Sequence, residues 1–127
     1  MNKRTLMIGI ATIPAALALL AAPATANDAD VRVNGSCTGS TSAKIKLSPE
    51  DGGIETEFEV DQNRNGVTWK VVLRRNGKVA TRAQATTAGR SGSFEIRRVL
   101  ADGPGSDSIS ARATSPSGEV CTAQASI

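Results

Sequence analysis

From Val31 onward, apolar and polar residues alternate with a period of two, and no apolar stripe with helical spacing persists for three turns. Such alternation predicts half-buried β-strands throughout. Ala43, Ile45 and Leu47 alternate with Lys44 and Lys46 before the turn signal Ser48-Pro49-Glu50-Asp51-Gly52-Gly53. Ile54, Thr56, Phe58 and Val60 alternate with Glu55, Glu57, Glu59 and Asp61, so one face of that strand is apolar and the other acidic. Asn63-Arg64-Asn65-Gly66 reads as a hairpin loop, and the strand after it sets Val67, Trp69, Val71 and Leu73 against Thr68, Lys70 and Arg74. Asn76-Gly77 predicts a two-residue type I′ turn, because both positions need positive φ. A weaker strand from Lys78 to Thr86 follows, then one marked by Phe94, Ile96 and Leu100, one by Ile109, Ala111 and Ala113, and one by Cys121, Ala123, Ala125 and Ile127. Loops are expected at 88–92, 101–106 and 115–118. About seven strands separated by turns every 8–12 residues or so predict an all-β chain: two antiparallel sheets packed face to face.

The N-terminus has a different pattern. Lys3 and Arg4 precede an apolar stretch from Leu6 to Ala22, and Ala24-Thr25-Ala26 follows. Basic, apolar and small-residue segments in that order are those of a secretory signal peptide cleaved after Ala26. The rival reading is a membrane anchor, since the stretch is near the lower limit of roughly 17–25 residues for a span. The small-residue site favours cleavage, and Lys3-Arg4 is not a twin-arginine pair. The expected organisation is a signal peptide at 1–26, an N-terminal arm or edge strand at 27–36, and one sandwich domain at 37–127. The expected location is extracellular, with no membrane contact after cleavage. Cys37 and Cys121 are the only two cysteines, and in an oxidising compartment they are expected to pair. Closing so long a loop is worth roughly 4–5 kcal/mol in the chain-entropy account.

Composition mainly removes options. With no His, no Tyr, one Trp and two Phe, every His-based catalytic device and most metal sites are absent. The formal net charge of +3 falls to about +1 once Lys3 and Arg4 leave with the signal peptide, which argues against a nucleic-acid partner held by a clustered basic surface. Heavy use of Ala, Thr, Ser, Gly and Arg over Lys is a bias of high-GC bacteria. No enzymatic activity and no cofactor are expected.

The segment V-T-W-K-V-V-L-R-R-N-G, Val67 to Gly77, resembles the central strand of an immunoglobulin-like or fibronectin type III-like module, in which an inward aromatic anchors the core. The segment from Ala113 to Cys121 resembles the closing strands of such modules in small secreted proteins of high-GC Gram-positive bacteria. The resemblance implies an immunoglobulin-like sandwich. The two cysteines lie near the first and last strands rather than flanking the Trp, and a tyrosine corner is impossible without Tyr.

Four constellations invite a chemical reading. Asp61, Asn63, Asn65 and Gly66 match the first half of a calcium loop, where alternate side-chain oxygens converge on a hard cation; the bidentate Glu of the second half would fall at Val72, and a turn explains the same residues. Glu55, Glu57, Glu59 and Asp61 share a strand face at roughly 6.5–7 Å intervals, a spacing open to general acid and base chemistry but better read as a solvated face paired with Lys44, Lys46, Lys70 or Arg74. The doublets Arg74-Arg75 and Arg97-Arg98 are candidate contacts for an anionic envelope polymer, or for a protease through Arg75 beside Asn76-Gly77, when they do not simply protect strand edges. Trp69, Phe58 and Phe94 fall on apolar parities and belong to the core. The function that remains is a secreted, noncatalytic binding or adaptor module for another extracellular protein or an envelope component, with the arm at 27–35 available for strand addition. The alternative is a small inhibitor of a trypsin-like protease.

Overall fold

The computed structural model describes residues 29–127; the expected signal peptide at 1–26 lies outside the described residues. Nine strands follow in chain order: β1 Val31–Asn34, β2 Ser36–Cys37, β3 Ser42–Glu50, β4 Gly53–Asp61, β5 Thr68–Arg75, β6 Lys78–Thr86, β7 Ser93–Ala101, β8 Ser108–Thr114 and β9 Val120–Ser126. They form two antiparallel sheets, ordered β1-β3-β4-β7 and β2-β9-β8-β5-β6. The arrangement is an all-β sandwich consistent with an immunoglobulin-like fold. The seven expected strands are β3 to β9, and β1 and β2 make nine instead of about seven.

Period-two alternation decides what each sheet buries. Ile45, Leu47, Ile54, Phe58 and Val60 face inward from the four-stranded sheet, against Trp69, Val71, Leu73 and Ile109 with Ala111, Ala113, Ala123 and Ala125 from the five-stranded sheet. Trp69 is 0% exposed, and its indole N–H donates to Gln62 Oε1 at 3.1 Å. That bond satisfies a donor whose burial would otherwise cost free energy. Its ring centroid lies 6.3 Å from that of Phe94, which ties the two sheets together with aromatic area.

Of the segment expected to be an arm or an edge strand, Val31–Asn34 is an edge strand, paired within the chain. β1 runs antiparallel to β3, with Val31 opposite Leu47 and Val33 opposite Ile45. The chain then leaves the four-stranded sheet at Gly35 and joins the five-stranded sheet as β2. A Cβ at Gly35 would overlap the Thr122 carbonyl oxygen, so a side chain there is incompatible with the crossing. Cys37 sits directly opposite Cys121 in the β2–β9 ladder, and the two form a disulfide across a sequence separation of 84. The bridge therefore joins adjacent strands of one sheet and does not cross the core between sheets.

Two loop readings change, and the Asn76-Gly77 turn stands. The turn expected over 48–53 narrows to Asp51 and Gly52, at φ 37 and 78, because β3 continues through Glu50. Pro49 is tolerated inside β3: it pairs with Ile54 of β4, and β1 reaches only to Leu47 on the other side, so the missing N–H deprives no neighbour. The 63–66 segment is not a hairpin loop, since β4 and β5 belong to different sheets and the chain turns a corner there. Asn76 and Gly77, at φ 50 and 84, do form the tight turn between β5 and β6.

Candidate binding surface

The outer faces of the two sheets carry different kinds of charge. On the four-stranded sheet, acids and bases alternate across neighbouring strands and pair. Lys44 lies 3.8 Å from Glu59, and Lys46 lies 3.4 Å from Glu57 and 3.7 Å from Asp30. Arg97 of β7 binds Glu57 and approaches Glu55 and Glu95 at 3.9 Å each. These carboxylates, Glu57 first and then Glu55, push the Arg97 guanidinium above its ordinary value. Lys44 and Lys46 are partners as expected, but Lys70 and Arg74 are not, because β5 lies in the other sheet. Arg97 takes their place: Glu57 stands directly opposite it in the β4–β7 register. At the β3–β4 turn, a hydrogen bond and like-charge repulsion with Glu55 raise the Glu50 carboxyl above its usual range.

The five-stranded sheet holds no Asp or Glu in any of its strands. Its core positions are odd-numbered in β5, so even-numbered residues point outward. Val72 stands opposite Arg82 of β6 on one side and Arg112 of β8 on the other, while Lys70 and Arg74 flank it along its own strand. By strand spacing, Arg82 and Arg112 are about 9–10 Å apart at the backbone, and Lys70 and Arg74 about 13 Å. The result is a cross of four cations around one half-buried Val. No carboxylate lies within ion-pairing reach of any of the four among the described residues. They border an open depression of about 770 Å³ that also includes Ala83, Gln84 and Thr114. Trp69 and Phe58 are 0% exposed and Phe94 7%, so no aromatic ring reaches this face.

The two arginine doublets are therefore divided. Arg74 belongs to the cationic cross and Arg97 to the ion-pair face on the opposite side of the molecule. Arg75, at the end of β5, turns back onto Asp107, with Nε donating to Oδ1 at 3.1 Å. Arg98 has the inward parity of β7, yet it is exposed because the second sheet does not cover that edge. Arg82 and Arg112 are the members that sequence reasoning missed. Each is an isolated Arg in an alternating strand, and only the β6–β5–β8 pairing brings them together.

Asp107, 1% exposed, is a second polar centre. Its carboxylate accepts from Arg75 Nε, from Asn76 Nδ2 at 2.9 Å and from the Gly103 N–H at 3.2 Å. Its backbone exchanges two hydrogen bonds with Ile127. The Asn76 bond is foremost in holding its carboxyl below the ordinary value, whereas the hydrogen bond to Asp107 raises Asp102.

In the calcium-like segment, Asp61 Oδ1 accepts from the Asn63 N–H at 3.2 Å, and Asn63 itself has a φ of 58. That is an Asx turn of the kind such residues form unaided. No group of three or more His, Cys, Asp or Glu able to hold a metal ion occurs among the described residues. No helix among them is long and apolar enough to cross a membrane. Comparisons with family models, with curated proteins and with solved structures find no match to this chain.

Proposed function

We propose that this chain is a secreted, noncatalytic binding module that attaches to an anionic polymer of the cell envelope through the outer face of its five-stranded sheet. The observation that carries the reading is the carboxylate-free cross of Lys70, Arg74, Arg82 and Arg112 around Val72. Four uncompensated cations on one flat surface repel one another and attract a polyanion, which releases counterions on binding. Three of the four are Arg, whose planar fork matches phosphate oxygens two at a time. A polyol phosphate chain therefore suits the face better than a neutral glycan. Single-stranded nucleic acid is disfavoured because such ligands are held by stacking on aromatic rings, and none is exposed here.

The disulfide supports an oxidising, extracytoplasmic location. The layout of β3-β4-β7 on β9-β8-β5-β6 supports the fibronectin type III-like reading, and such scaffolds present binding faces on many functions. The protease-inhibitor alternative has less support, since Arg75 is held by Asp107 at 3.1 Å and is not extended toward a partner.

Titration with long-chain inorganic polyphosphate tests the proposal. The wild-type protein is expected to bind with an affinity that falls steeply with salt. R82S/R112S is expected to bind at least about tenfold more weakly, a loss of ~1.4 kcal/mol or more, while R97S binds like wild type. Equal binding by R82S/R112S and wild type would overturn the assignment of this face.

A further inference from the structure

Among the described residues, two sheet edges of this sandwich are long and have no strand beyond them. β6 has a neighbour only in β5, and β7 only in β4; each strand has nine residues. Both edges border the same side of the molecule. Near the loop that joins them, Ala88 bridges Ser93 and closes the side. At the far end the strands part, and a depression of about 400 Å³ opens between Lys78, Val79 and Ala80 of β6 and Arg98, Val99 and Leu100 of β7. Val79 and Val99, 44% and 59% exposed, are the exposed large hydrophobics among the described residues, and both line this depression. Arg75, Lys78 and Arg98 rim it, and no Asp or Glu does.

We propose that this groove receives an extended, acidic segment of a partner protein, which adds as a strand to the free edge of β7. Strand addition supplies the backbone partners that an open edge lacks, while alternate side chains of the incoming strand reach the pockets beside it. β7 is the receiving edge because its ladder with β4 runs through nine residue pairs without interruption, whereas the β5–β6 ladder shifts register between Leu73 and Arg74, and a bulge spoils an edge as a template. Apolar residues of the incoming strand cover Val79 and Val99. Its carboxylates meet Lys78 and Arg98, whose guanidinium spends one bond on the Arg97 carbonyl at 2.8 Å and keeps other donors free. A second copy of this chain is excluded as the occupant through these edges, since it would bring Lys78, Arg82, Arg97 and Arg98 against the same cations.

The proposal stands apart from the polymer-binding face, because none of Lys70, Arg82 and Arg112 lines the groove. The probe is a nine-residue capped peptide alternating Glu and Val, compared with the same peptide carrying Lys in place of Glu. The acidic peptide is expected to bind the full chain, to slow amide hydrogen exchange within 97–101, and to bind at least tenfold more tightly than its Lys counterpart. Val79→Glu with Val99→Glu, which replaces both apolar contacts by charges that repel the acidic strand, is expected to abolish that binding. Val79→Thr with Val99→Thr, which keeps strand-forming residues at both exposed sites, should weaken it without lowering the melting temperature. R82S/R112S should bind the peptide like wild type, so failure here and failure of the polymer face are separately visible. Equal binding of the two peptides, exchange protection confined to other strands, or unchanged binding by the Val79→Glu, Val99→Glu variant would each overturn the proposal.

Discussion

Asp107 is a carboxylate with almost no contact with water, and its position depends on donors from distant parts of the chain. Arg75 and Asn76 reach it across sequence separations of 32 and 31, joining the β5–β6 turn to the loop before β8. Its folded-state pKa lies below the ordinary 3.8, chiefly through the Asn76 bond. Its ionisation therefore stabilises the fold at pH values above 3.8, and that contribution is lost as pH falls through the lowered value. Asp102 has the opposite sign: its value is raised above 3.8 by the bond to Asp107, so its stabilising share is complete below 3.8 and disappears as pH rises through the raised value. D107N is accordingly expected to melt at a lower temperature than wild type at pH 7 and to show a flatter profile in acid. D102N, which can still donate to Asp107 without a charge, should melt at pH 7 no lower than wild type. Thermal melts between about pH 2 and 7 check both, and identical acid profiles for D107N and wild type would contradict the assignment. The sequence itself showed two Asp residues around a Gly-Pro-Gly loop, enough to expect a turn. The donors from Arg75 and Asn76 could not be read, because nothing local connects positions so far apart.

At the scale of strands and turns, alternation and turn residues are local physics, and they were legible. Inward and outward faces of β3, β4, β5, β8 and β9 follow directly from parity, and Asn76-Gly77 announces its own hairpin. Sheet membership was not legible. The corner at 63–66 uses the same Asn and Gly residues as a hairpin, since both need a tight reversal and only tertiary packing decides where the next strand goes. The same gap assigned Lys70 and Arg74 to the glutamates of β4, where Arg97 is the partner that joins Lys44 and Lys46. R97S leaves Glu55, Glu57 and Glu95 facing one another on one surface. It is expected to lower the melting temperature at low ionic strength, and the deficit should shrink in about 1 M salt, where the screening length is about 3 Å. A deficit unchanged by salt would mean that packing, and not charge, ties β7 to β4.

The whole molecule divides its charge between two surfaces, and this too depended on register: acids and bases nearly balance from Asn27 onward, so bulk composition hides a face with no carboxylate. The disulfide was the long-range feature available from sequence, because two cysteines allow only one pairing. Its loop encloses β3 to β8, so reduction should lower the unfolding free energy by about 4–5 kcal/mol, measurable as a shift of the urea midpoint. A loss below about 1 kcal/mol would show that the bridge steadies only β1 and β2. The closure between β2 and β9 also governs how the protein answers mechanical tension. A pull applied from the N-terminal side and from Ile127 loads the β1–β3 and β9–β8 ladders first and then passes from Cys37 through sulfur to Cys121, so it cannot draw out the chain between them. With a sequence separation of 84 bypassed, roughly 300 Å of extensible chain stays locked against tension until a reductant cuts the bond.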